Sequence, residues 1–322
     1  MYILRDLHEL PKFRDGLSYL YVEHCKIEQD KLAIALFDTE GKISVPCANL
    51  ALLMIGPGTS ITHAAIRVLA ENGCLVVWCG EEGIRFYAQG MGETRSSKKI
   101  IHQANLVSNS LTRLAIVKKM YQMRFKDDVD KNLSIEQLRG REGARVKDTY
   151  MRESKKTGIP WKGRIYKQKD WSASDPVNKT LSTANSCLYG LCHSAIVSIG
   201  YSPAIGFIHT GKQLSFVYDI ADLYKADITI PIAFQIVQES DLDIERRTRV
   251  TCRDKFKEFR LLPQIIDDIE KIFDIENQNS DENELNRNID LDSEIATPGG
   301  LWDPTISEVR GGKNFDPSLN KE

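Results

Sequence analysis

Long apolar runs are missing from this 322-residue sequence. A membrane span needs about 20 consecutive apolar residues, and the longest candidate, 48–55, is only of strand length. No membrane association is expected. The opening residues, Met1 through Asp6, lack a basic region followed by an apolar one, so no secretory signal is expected either. The seven cysteines fall at 25, 47, 74, 79, 187, 192 and 252, an odd number with no CxxC pair. No Cys/His cluster has zinc-ligand spacing. Cys192 does stand next to His193, but adjacent side chains on a helix point in different directions. Buried thiols in a reducing cytoplasm are the expected state. Internal repeats are absent, and no recognition-helix or zinc-finger signature points to base-specific readout.

What is present suffices for a packed core. Apolar residues make up 42% and charged residues 27% of the chain, and its length suggests two domains. The overall charge of −2 conceals an asymmetry: residues 1–266 carry 38 Lys+Arg against 30 Asp+Glu, whereas 267–322 carry 5 against 15. Between Arg113 and Lys169 there are 17 basic and 7 acidic residues, interleaved with Tyr150, Trp161, Tyr166 and Trp171. Such a block is the footprint expected of a phosphate-backbone partner. A lysine-rich, solvated helix surface has the same composition.

The pattern of elements is α+β. Residues 17–23, 32–37 and 43–45 are rich in strand formers, with a turn at 38–41, and 60–72 has helical spacing closed by Gly73. Strands resume at 75–79 and 84–87. This gives a β-rich domain with one helix over 1–90, a glycine-bearing linker at 91–97, and an all-α domain over 98–276. Helices are predicted at 98–126, 134–156, 175–200, 214–226, 231–239 and 254–274. The acidic remainder, 277–322, is expected to be largely disordered.

Three segments of the helical region carry candidate chemistry. In LRGREGAR (138–145), Glu142 lies among Arg139, Arg141 and Arg145, on a helix opened by a Ser134/Gln137 capping box. Gly140 and Gly143 inside that helix suggest that backbone or ligand approaches closely. Alternatively, Glu142 and Arg145 form an ordinary surface pair. In PAIGFIHTGK (203–212), His209 sits in a connection between two helices, where functional side chains gather, although a lone loop histidine is often structural. In SFVYDIAD (215–222), Asp219 and Asp222 share one face of a helix, flanked by the apolar Phe216, Val217, Ile220, Ala221 and Leu223, and Lys225 follows a turn later. Partly buried carboxylates require a cation, either a divalent metal or Lys225. Glutamate, histidine and two aspartates together would suit a hard ion: Mg²⁺ prefers oxygens, and Mn²⁺ tolerates the imidazole better.

With these motifs in order, the sequence closely resembles the CRISPR-associated integrase family, most like its I-E subtype, over about residues 15–275. The resemblance implies a β-domain that mediates homodimerisation and an all-α catalytic domain. It also implies two such dimers around a dimer of a small second integrase subunit. By position, Glu142, His209 and Asp222 match the family's metal ligands for Mg²⁺ or Mn²⁺, and Asp219 a further acidic residue of the catalytic set. The implied reaction is transesterification: 3′-hydroxyl ends of captured double-stranded DNA attack phosphodiesters at the edge of a CRISPR repeat. A branched-DNA-resolving repair nuclease and a non-catalytic DNA-binding scaffold are the competing readings. Arg85, Lys225, Arg249 and Arg253 fall at positions that are usually basic near the site. Tyr166, Trp171 and Tyr189 are candidate partners of the substrate strand, and Arg67 a backbone contact. Two departures stand out: His24 replaces a tyrosine that brackets the duplex end, and Ser60 an often basic residue. The segment 301–306 offers an apolar anchor that could dock on the small subunit.

Overall fold

The computed structural model describes residues 19–39, 41–50, 52–81, 85–90, 97–125, 133–163, 175–274, 301–303 and 307–309. Tyr166, Trp171, most of the expected linker and most of the acidic tail lie outside the described residues. The architecture is α+β, with strands leading and helices following.

Two four-stranded sheets form the β-rich part. In the first, β1 (Tyr19–Val22), β5 (Leu52–Ile55) and β7 (Leu75–Cys79) run parallel, and β8 (Phe86–Gly90) returns antiparallel beside β7. Its central strands β5 and β7 read as continuous apolar runs because both their faces are covered. Leu52, Met54, Leu75, Val77 and Cys79 face the helical core, while Leu53, Ile55 and Val76 pack with Val68 and Leu69 of α1 (His63–Glu71). In the second sheet, β2 (Lys26–Asp30), β3 (Ala33–Phe37) and β4 (Lys42–Pro46) form an antiparallel meander, and β6 (Ser60–Ile61) lies parallel to β2. Strand β2 escapes the sequence pattern because Ile27 is its only fully buried residue. Residues 60–61, expected to open the helix, belong instead to β6, and Thr62 caps the helix by accepting from the Ala65 N–H.

The long helix expected at 98–126 is two: α2 (Lys98–Ser108) and α3 (Ser110–Phe125). Asn109 is extended, and its side-chain carbonyl accepts from the N–H groups of Leu111 and Thr112, restarting the helix. The capping box at Ser134 opens α4 (Ile135–Thr157), which closes on Gly158 at φ 75°. Asp175 caps α5 (Pro176–Ser198), a helix buried almost all round at the centre of the domain. After a structured connection come α6 (Ser215–Ala221), a π-turn over 225–229, and α7 (Ile230–Glu239). The expected helix at 254–274 is in fact the end of α8 (Ile244–Glu258) and all of α9 (Leu261–Phe273). They are separated at Arg260, whose φ of 49° interrupts the helical path. Within the acidic tail, β9 (Leu301–Asp303) and β10 (Ser307–Val309) pair antiparallel, so the tail is not without structure throughout. Among the described residues no helix is long and apolar enough to cross a membrane.

Candidate active site

The connection between α5 and α6 is locked into one shape by side chains distant in sequence. Gln103, fully buried on α2, donates to the carbonyls of Ser202 and Ile205 and accepts from the Ser202 N–H. Arg113 of α3 donates twice to the Phe207 carbonyl, at 3.0 and 2.9 Å. A side chain at Gly206 would collide with the His209 carbonyl, so the chain can pass there only as glycine. Asp219, at 0% exposure on α6, completes the clamp. Its Oδ2 accepts from the backbone N–H of Phe207 (2.6 Å) and Ile208 (3.1 Å), and its Oδ1 from that of His209 (2.9 Å).

The same Oδ1 is 2.7 Å from His209 Nδ1. A carboxylate can only accept, so the hydrogen of this bond sits on Nδ1, and Nε2 is the ring nitrogen left outside it. His209 is 43% exposed, and the edge of its ring meets Tyr218. Asp219, which by resemblance matches a further acidic residue of the catalytic set, has both oxygens engaged by this loop and the His209 ring.

Glu142 and Asp222 are brought to the same place from α4 and the end of α6. The guanidinium of Arg124, 3% exposed in the last turn of α3, lies between them: Nη1 is 3.8 Å from Glu142 Oε1 and Nη2 is 3.5 Å from Asp222 Oδ2. Its Nη2 also donates to the Asp219 carbonyl at 3.3 Å, which ties the pair to the His209 clamp. On its other side each carboxylate meets a second cation. Arg145 approaches Glu142 at 3.2 Å, and Lys225 approaches Asp222 Oδ1 at 2.7 Å. Burial alone would pull the Lys225 ammonium down, but the charge of Asp222, aided by Tyr189, lifts it to about 12. Both alternatives left open by the sequence are therefore realised within the chain, the Glu142–Arg145 pair and the Asp222–Lys225 pair.

Among the described residues no three His, Cys, Asp or Glu side chains are gathered closely enough to hold a metal ion as they stand, and Arg124 lies between Glu142 and Asp222. The donor set nevertheless suits a hard divalent ion: two carboxylates, 15% and 20% exposed, and an imidazole fixed through its other nitrogen. Arg124 is also an incomplete partner for them. Its contacts to both are longer than hydrogen bonds, and its buried Nε has no acceptor among the described residues.

The remaining candidates divide. Tyr189 borders the site, edge-on to Tyr218 at 5.0 Å and with the Lys225 Nζ 4.9 Å from its ring centroid. Arg67 pairs with Glu71, Arg249 with Glu245 and Arg253 with Asp254, all contacts within their own helices. Arg85 is exposed at the start of β8. Tyr150 and Trp161, suggestive of nucleic-acid stacking in the sequence, stack on one another at 4.2 Å and pack against Phe234. Nor do Gly140 and Gly143 admit another part of the protein among the described residues, where an added side chain would meet nothing within 4 Å at either. Sequence reasoning missed Gln103, Arg113, Arg124 and Tyr218. Arg124 had a signal, since it continues the buried stripe of Val117, Met120 and Tyr121 at helical spacing.

Comparison with known proteins decides the family. The family described as CRISPR associated protein Cas1 matches residues 19–128 and 122–253. The chain belongs to the Cas1 family. It is 50% identical over 321 residues to the CRISPR-associated endonuclease Cas1 2 of Thermus thermophilus, covering 99% of this chain and 97% of that one. It is 42% identical over 267 residues to the CRISPR-associated endonuclease Cas1 of Escherichia coli, covering 83% and 87%. The solved TtCas1–DNA complex superposes with a TM-score of 0.77 at 53% identity, covering 82% of this chain and 99% of that one. The α+β arrangement of strands and helices described above is thus that of Cas1 proteins, and relatives on this fold are named endonucleases.

Proposed function

We propose that this Cas1 protein is a metal-dependent DNA integrase and endonuclease of CRISPR adaptation, of the I-E subtype. It joins the 3′-hydroxyl ends of captured DNA into a repeat array by transesterification. What supports the reading is that Arg124 bridges Glu142 and Asp222 and also bonds the carbonyl of Asp219, whose carboxylate holds His209, with Arg145 and Lys225 beside the two carboxylates. Carboxylate oxygens of Glu142 and Asp222 and Nε2 of His209 are the atoms that would hold Mg²⁺ or Mn²⁺. Such an ion, when bound, neutralises charge on the attacked phosphate and lowers the pKa of the attacking hydroxyl.

The chain's own residues supply the setting. Asp219 fixes the His209 ring and its tautomer, so that Nε2 is presented without reorganisation. Arg145 and Lys225 place positive charge beside the carboxylates, where phosphate oxygens of a bound strand would lie. The open face at Gly140 and Gly143 lets a strand pass close to the α4 backbone near Glu142. The basic excess of residues 113–169 favours a polyanion as partner, and a relative with 53% identity has been solved with DNA. The working assembly is a pair of homodimers around a dimer of a small second subunit, acting in the cytoplasm.

The test is strand joining by purified protein with Mn²⁺, the small subunit, a duplex with free 3′ ends and repeat DNA. His209→Ala and Asp222→Ala are expected to abolish joining and to retain salt-sensitive DNA binding. Joining that survives either substitution overturns the assignment. Cleavage of branched DNA without any joining, with or without the small subunit, would establish the repair nuclease instead.

A further inference from the structure

Arg124 is difficult to explain as packing. It is 3% exposed, yet among the described residues its Nε meets no acceptor and its one hydrogen bond is the 3.3 Å contact to the Asp219 carbonyl. A buried arginine retained for structure alone normally satisfies its planar fork on carbonyls or on one carboxylate, at about 2.7–2.9 Å. Here the fork is divided between two carboxylates from different helices, at 3.8 Å and 3.5 Å, while its face lies over Tyr121. The close cations, Arg145 and Lys225, contact the two carboxylates separately and bring no charge between them. Among the described residues only Arg124 serves both.

We propose that Arg124 is the internal counter-charge of the carboxylate pair: it holds Glu142 and Asp222 facing one another in the metal-free protein, and it is the cation with which a divalent ion competes for them. The second half rests on the reading of Glu142, His209 and Asp222 as ion ligands. The physical case follows from the geometry. Two carboxylates turned toward one gap repel, and without a cation between them one would swing away. A guanidinium at ion-pair range but beyond hydrogen-bond range supplies the charge without the directional grip of a fork-to-fork pair. It keeps the ligands aimed while leaving them exchangeable. The same positive charge opposes an incoming cation, so the site gains pre-organisation and loses affinity. Arg124 is on this account a positioning residue that acts through Glu142 and Asp222.

The experiment uses the full chain and four proteins: wild type, Arg124→Met, Glu142→Gln and the double variant. Thermal melting in EDTA reads the counter-charge. Arg124→Met is expected to melt lower than wild type, and adding Glu142→Gln to it should restore part of that loss, a coupling that packing alone would not give. Calorimetric titration with Mn²⁺ reads the competition. The dissociation constant of Arg124→Met is expected to fall about five- to a hundredfold below that of wild type, the range of an ordinary coupling between sites. Additive melting shifts, or a Mn²⁺ constant that is unchanged or weaker, overturn the proposal. Should Arg124→Met fail to fold, the double variant is still expected to fold, and its failure also overturns the proposal. A wild-type chain that takes up no Mn²⁺ overturns the ion reading and the competition with it. The coupling in EDTA then decides the counter-charge alone.

Discussion

His209 and Asp219 are joined twice: Asp219 Oδ1 accepts from the backbone N–H of His209 at 2.9 Å and from its ring Nδ1 at 2.7 Å. The other carboxylate oxygen takes the N–H groups of Phe207 and Ile208. One buried side chain therefore sets both the path of the connection and the tautomer of the exposed imidazole. Asp219→Asn would turn an amide NH₂ toward N–H donors and leave at least one of them unpaired in the core. The expected cost is about 3 kcal/mol or more, measured by urea denaturation. Strand joining should fall with it, although Asp219 has no free oxygen to offer a substrate. A variant as stable as wild type would remove the clamp from the account.

His209→Ala should behave in the opposite way. The ring is 43% exposed, and without it Asp219 Oδ1 keeps the His209 backbone N–H, so no buried acceptor is stranded. Stability is expected to change by about 1 kcal/mol or less, while Mn²⁺ uptake and joining are lost. Comparing the two variants separates shaping of the loop from supply of the imidazole nitrogen. Equal destabilisation by both would mean that the ring itself holds the loop together.

The sequence revealed the acid and base of the site better than what holds them. Ser134 and Gln137 signalled the start of α4, and so the helical setting of Glu142, because a capping box is local chemistry. The apolar spacing around Asp219 indicated a buried helix, and Phe216, Val217, Ile220 and Ala221 are all fully buried. The breaks at Asn109 and Arg260 were not legible, because apolar spacing continues across them and the backbone turns at residues that are compatible with helix. Arg124 and Gln103 were missed for a different reason. A polar residue on an apolar stripe reads as an irregularity until its partners, about 100 residues further along for Gln103, are brought to it.

Gly143 offers a test of what approaches α4. With nothing among the described residues within 4 Å of an added side chain and ordinary helical backbone, Gly143→Ala should stabilise the metal-free protein by about 0.5–1 kcal/mol. The same methyl group would stand where a strand is expected to pass, so DNA affinity should fall even as melting temperature rises. Measuring both on one preparation gives a clear decision. Unchanged affinity for duplex and branched DNA would mean that no ligand uses this face.

The junction between sheet and helices should be sensitive to acid through His193. Its ring stacks on Phe86 of β8 at 3.6 Å, and burial holds its pKa down from the ordinary 6.5 to about 4. Below pH 6.5 the unfolded chain takes up a proton that the folded chain refuses until about pH 4. Stability present above pH 6.5 is therefore lost as the pH falls through that interval. His102, edge-on to Phe273, is likewise pulled down by burial and adds a smaller slope of the same sign. His193→Phe keeps an aromatic ring against Phe86 and removes the titrating nitrogen. Its melting temperature should decline less than that of wild type between pH 6.5 and pH 4, and the two should run parallel above pH 7. Parallel curves over the whole range would show that acid sensitivity arises elsewhere and that the β8–α5 stack does not depend on a neutral imidazole.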